Sequence, residues 1–213
     1  MTESTARTDT PLEVIAQVSR IVTKVIDRIA GDRVEVPLMV AAAVKEALVG
    51  FGIRSQIMYG PAAWVEVLEN QQVIWAGCWG RHFHFWTVTE YGEVVDLTTA
   101  VAFRKRSHEN PEWKAKHSAP LLWSREVPRF YRYVPEGIAE LELTELRDQE
   151  RFDKVLREVR EKCQWSALTP GQEPEFPNEA IVCPGRRILD DTHQSFRFLD
   201  RALAVHGIPE SPL

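Results

Sequence analysis

The chain has 213 residues, 44% of them hydrophobic, which is enough for one full core with room for an appended subdomain. Its 26 basic and 31 acidic residues leave a net charge of −5, which argues against a general nucleic-acid binder, because such affinity comes from neutralising phosphates. No stretch reaches the roughly 18 apolar residues that span a bilayer, no basic start precedes an apolar run, and three cysteines lack framework spacing, so a cytoplasmic protein without a membrane partner is expected.

Residues 1–10 are expected as a disordered tail, ending where Thr10 caps a helix that has Pro11 in its first turn. Leu12, Ile15, Val18, Val22, Val25, Ile26 and Ile29 recur at helical spacing and predict one apolar face up to Ala30-Gly31. A second, Ala-rich helix is expected from Pro37 to Val49, stopped by Gly50-Phe51-Gly52. Strands follow at Ile53 to Tyr59, Ala63 to Leu68, Val73 to Ala76, His82 to Thr89 and Glu93 to Leu97, with Gly60-Pro61 and Asn70-Gln71 as turns. Short turns between consecutive strands predict an antiparallel sheet, covered by the N-terminal helices, and an α+β fold. Residues 104–125 carry charge and two prolines and read as an irregular excursion, with a last strand at Arg129 to Val134. Beyond Pro135 the pattern turns helical from Gly137 to Cys163 with a start near Thr144, then a Pro- and Gly-rich loop from Ser166 to Pro177 and a helix from Asp191 to His206. The expected organisation is a core over 11–135 and a mostly helical C-terminal extension over 136–213.

The two strands at 82–89 and 93–97 set His84 and Asp96 around a glycine turn, a base with its orienting acid. Register decides whether they meet. A three-residue loop at 90–92 puts Thr89 opposite Glu93 and Trp86 opposite Asp96, with His84 diagonal to Asp96 on the same face; a two-residue loop puts them on opposite faces. Trp64, Trp75, Trp79 and Trp86 fall within 23 residues. Such density reads as core, and Trp64, Trp79 and Trp86 are also candidates to wall a ligand cleft beside His84.

His84-Phe85-Trp86 followed by Asp96-Leu97-Thr98 resembles the transglutaminase-like branch of the papain-like cysteine hydrolases and acyltransferases. The resemblance covers roughly residues 33–100, including the helix that gives way through Gly52-Ile53 to a strand. It implies a papain-like core, His84 as general base, Asp96 fixing its tautomer, and a catalytic Cys at the start of the second helix, where a helix N-terminus favours thiolate. The matching segment, Val34-Glu35-Val36-Pro37-Leu38-Met39, contains no Cys, Ser or Thr. On this reading the residues that meet His84 at the helix start are apolar, from Val36 to Met39.

Three function classes stay open. A non-catalytic relative would bind a peptide or small ligand in the cleft near His84. A hydrolase or acyltransferase would need a displaced nucleophile, for which Cys78, six residues before His84 in a glycine-flanked turn, is the candidate; Cys163 reads as structural, and Cys183 could reach the core from the C-terminal segment without a spacing that says so. A metal reading rests on His82 and His84 alternating on one strand, with Cys78 or Glu90 as further ligands. No cofactor motif is found, and nothing in the chain states an oligomeric state.

Overall fold

The computed structural model describes residues 9–99, 115–140, 148–167, 181–183 and 194–213. Helix α1 spans Leu12–Ile29 and buries Ile15, Val18, Ile21, Val22, Val25 and Ile26, the stripe that the apolar spacing predicts. Thr10 does not cap it. Pro11 holds the cap position, and Thr10 instead gives its N–H (3.0 Å) and hydroxyl (2.5 Å) to the carboxylate of buried Glu93. Thr89 Oγ1 (2.9 Å) and Trp123 Nε1 (3.3 Å) donate to the same carboxylate, so four donors satisfy a charge that burial would otherwise make costly. Helix α2 spans Pro37–Gly50 with Pro37 in its first turn, where a missing N–H costs nothing. It ends as expected, with Gly52 in the left-handed region (φ 71°) and the Ile53 N–H returning to the Leu48 carbonyl at 3.0 Å.

The strands are β1 Ser55–Gly60, β2 Ala62–Leu68, β3 Val73–Cys78, β4 His84–Thr89, β5 Val94–Asp96, β6 Ala115–Ser118, β7 Leu121–Ser124, β8 Tyr131–Tyr133, β9 Gly137–Ile138 and β10 Ile181–Val182. One sheet runs β10-β7-β5-β4-β1-β9; in the other β2 lies between β3 and the pair β6 and β8. The first sheet is mixed, not wholly antiparallel, because β10 pairs in parallel with β7. Strand β4 begins at His84, two residues later than expected. Its neighbour β1 leaves the sheet at Gly60, which pairs with His84, so residues 82 and 83 have no β1 partner.

The excursion expected at 104–125 holds two strands, β6 and β7, around Pro120. Charge and prolines hid them: each is only four residues long, too short for an alternation to stand out. Helices α3 Gln149–Ala167 and α4 Gln194–His206 complete the order. The tail to residue 8, the helix start near Thr144, most of the loop at 166–177 and the start at Asp191 lie outside the described residues.

Alternation along the strands sorts the core into two layers. Ile57, Val95, Leu121 and Trp123 of the first sheet and Leu97 just after β5 join α1, α2 and Phe152, Val155 and Val159 of α3 in one cluster. Trp64, Val65, Leu122, Tyr131 and Val182 join Leu199 and Leu203 of α4 in the other. Segments beyond residue 135 thus contribute to both clusters: α3 covers the helical side, β9 and β10 extend the first sheet, and α4 packs on β6, β2 and β3.

Candidate active site

The hairpin register brings His84 and Asp96 together. Thr87 pairs with Val95 and Val88 with Val94, and the Thr89 N–H meets the Glu93 carbonyl at 3.0 Å, which leaves 90–92 as a three-residue loop. Gly92 supplies the left-handed residue (φ 76°) that such a loop needs. Trp86 therefore stands opposite Asp96, and His84 reaches across the diagonal: its Nε2–H donates to Asp96 Oδ2 at 2.8 Å. Both side chains are sealed, at 2% exposure.

Asp96 is saturated with donors. Thr98 gives its N–H (2.9 Å) and hydroxyl (2.6 Å) to Oδ1, and the Tyr133 hydroxyl gives a second bond to Oδ2 at 2.8 Å. Burial works against charge on either partner. For His84 the Asp96 charge and hydrogen bond, with a smaller contribution from Cys78, outweigh burial and raise the ring from 6.5 to about 9. For Asp96 burial is likewise outweighed, here by His84 and Thr98, which hold the carboxyl below its usual value. The pair is an imidazolium and a carboxylate at neutral pH.

Cys78 also comes near this pair, close enough to contribute to the upward shift of the His84 ring. The topology explains the approach. Gly60, the last residue of β1, pairs with His84, while Ala62, the first of β2, pairs with Cys78, so one Pro61 hinge carries the chain from the neighbour of the histidine to the neighbour of the cysteine. The backbones lie close there: a Cβ on Gly77 would stand 2.1 Å from the Ala62 carbonyl oxygen, and one on Gly60 would stand 2.1 Å from that of Val134. With Nε2 committed to Asp96, Nδ1 is the ring nitrogen left for proton exchange. Cys78 is half-buried, reachable from outside, whereas Cys163 and Cys183 are buried.

The other side of Ala62 carries Tyr133, paired in the same register, so Cys78, Ala62 and Tyr133 form one row on the face turned to His84. Trp64, Trp86 and Tyr133 enclose the imidazole with ring centroids 5.5, 6.4 and 6.5 Å away. Buried Glu66 accepts the Trp64 indole N–H at 3.2 Å and fixes that ring. Of the three tryptophans expected around a cleft, Trp64 and Trp86 flank His84, while Trp79 sits at the surface after Cys78. A cleft of about 350 Å³ lies beside this cage, lined by Met58, Trp86, Val88, Val94 and Tyr133 among others.

The expectation that apolar residues of the α2 start meet His84 is not met, for a geometric reason. Thr87 bonds the Ala41 carbonyl of α2 at 2.9 Å and Phe85 packs on the helical core, so the alternating His84 and Trp86 face the second sheet. The alternation needed for the metal reading is missing too. His82 is exposed on the loop before β4, Glu90 is engaged with Arg54 (3.0 Å), and among the described residues no three His, Cys, Asp or Glu side chains gather in a metal-binding arrangement. Tyr133 was not singled out from the sequence. Its alternation with Tyr131 on the expected strand was visible, but not the surface that face would meet.

No protein-family model matches the sequence, and no curated protein matches it. A solved crystal structure described as genomics APC5867 is similar over 80% of this chain and 86% of its own, at 13% identity and a TM-score of 0.46, a likeness too low to carry an argument about fold or activity.

Proposed function

We propose that this chain is a cysteine-dependent hydrolase or acyltransferase of the transglutaminase-like kind, with its nucleophile, Cys78, displaced from a helix start to a strand end. The observation that carries the reading is the half-buried Cys78 brought beside the His84 ring by the Gly60–Ala62 register, with His84 Nε2 held by Asp96 at 2.8 Å. A thiol beside a charged imidazolium is the setting in which thiolate attacks and the imidazolium later acts as acid.

Cys78 Sγ attacks an acyl carbonyl carbon; the sulfur–carbon bond forms, the bond to the leaving group breaks, and His84 gives its proton to that group. Water in a hydrolase, or a substrate amine or hydroxyl in an acyltransferase, then attacks the thioester, passes a proton to His84 and releases Cys78. Asp96 touches no reacting atom: it fixes the orientation and charge of the ring. Reliance on thiol chemistry suits a reducing, cytoplasmic setting.

A chloroacetamide probe at neutral pH, followed by peptide mapping, tests this. Fast labelling at Cys78 that slows sharply in His84→Ala is expected; a folded protein whose Cys78 stays unlabelled, or labels equally fast in the variant, refutes it. A second reading, a non-catalytic relative that binds a peptide or small ligand, is supported by the 350 Å³ cleft beside Trp86, a size in the usual range of ligand sites.

A further inference from the structure

We infer that Tyr133 is a positioning residue for this site: its hydroxyl holds Asp96 Oδ2 and thereby tempers how strongly the Asp96 charge favours the protonated ring of His84. The inference rests on the reading of His84 as the acid–base group.

Oδ2 is the atom that matters. It accepts from His84 Nε2 and from the Tyr133 hydroxyl, each at 2.8 Å, so the two donors compete for the charge of one oxygen. Burial, then the charge of Asp96 and the bond to it, push the Tyr133 hydroxyl well above its usual value, which keeps it a neutral donor. The ring is held in place by Trp86, 5.0 Å away between centroids, and by pairing of Tyr133 with Ala62. Tyr131, two residues earlier on the same face, does something else: its hydroxyl goes to the Pro120 carbonyl.

The ionisable groups around the imidazole are Asp96 from β5, Cys78 from β3, Tyr133 and Tyr131 from β8, and Glu66 from β2, which is tied to Trp64. Of these, Tyr133 is the neutral hydroxyl donor on the atom that binds the His84 proton. A donor to Oδ2 stabilises the carboxylate most when His84 is neutral, because the Nε2–H that stays on Oδ2 then carries no positive charge to offset it. The hydroxyl therefore lowers the affinity of the pair for the proton and eases its transfer to a leaving group.

The test is an NMR titration of the His84 ring in Tyr133→Phe, which keeps the aromatic wall and removes only the hydroxyl. The midpoint should rise by about half a pH unit or more, while Tyr131→Phe leaves it in place. Should Tyr133→Phe not fold, wild-type protein with its four tyrosines replaced by 3-fluorotyrosine, a stronger donor, should show a lowered midpoint. An unchanged midpoint, or a shift of the opposite sign in either protein, overturns the inference. The titration reads the pair whether or not Cys78 labels, so a failure of the proposed activity and a failure of the positioning role are told apart.

Discussion

Asp96→Asn removes the charge that holds His84 protonated while keeping the size of the side chain. His84 rises from 6.5 to about 9 in the folded protein, and at about 1.4 kcal/mol per pH unit this corresponds to a contribution on the order of 3 kcal/mol. Because the folded value is the higher one, that stability is present in full below the unfolded value near 6.5 and is lost as pH climbs through about 9. Asp96 supplies the opposite limb: its carboxyl is held low, so its contribution is present above the unfolded value and is lost as pH falls through the folded one. In the variant, burial outweighs the smaller contribution of Cys78 and should drive the midpoint of the ring below 6.5, leaving it neutral at pH 7. Urea unfolding between pH 5 and 9, with an NMR titration of the ring, measures both effects. The stability gap between wild type and variant should be largest near pH 5–6 and should narrow toward pH 9. A gap that stays flat from 6.5 to 9, or a His84 midpoint unmoved by the substitution, refutes the coupling.

Labelling should discriminate among the cysteines: Cys163, which burial and the Glu46 carboxylate push up to about 12, should stay unmodified at neutral pH while Cys78 reacts, and mapped adducts check this. Gly77→Ala places a methyl group 2.1 Å from the Ala62 carbonyl oxygen; it should cost about 1–3 kcal/mol and slow Cys78 labelling by lifting β3 off β2, and labelling at the wild-type rate would contradict that account. Thr10→Ala removes a hydroxyl bonded to the buried Glu93 carboxylate and should cost about 1.5–3 kcal/mol in urea unfolding without changing the labelling rate, since Glu93 lies on the helical side of the sheet.

Local rules carried the sequence reading a long way. The face of α1 and the stop of α2 at Gly52 each depend on residues within a few positions of one another, so period and turn chemistry suffice to read them. The same rules reduced the placing of His84 and Asp96 to a choice of two loop lengths, because strand alternation turns a loop length directly into a side-chain direction, and the structure chose the three-residue loop. Short strands without alternation, as around Pro120, fall below what such rules detect. What sits opposite that face is a different kind of question. Cys78 comes near His84 because β1 and β2 enter different sheets on either side of Pro61, and Tyr133 reaches Asp96 because β8 pairs with Ala62 from the far side. Those pairings join segments tens of residues apart, and composition alone ranks no one of them above its alternatives. The sequence by itself therefore singled out His84 and Asp96 and the two ways they could face, while only the tertiary structure decided that they meet and that a thiol and a phenol lie beside them.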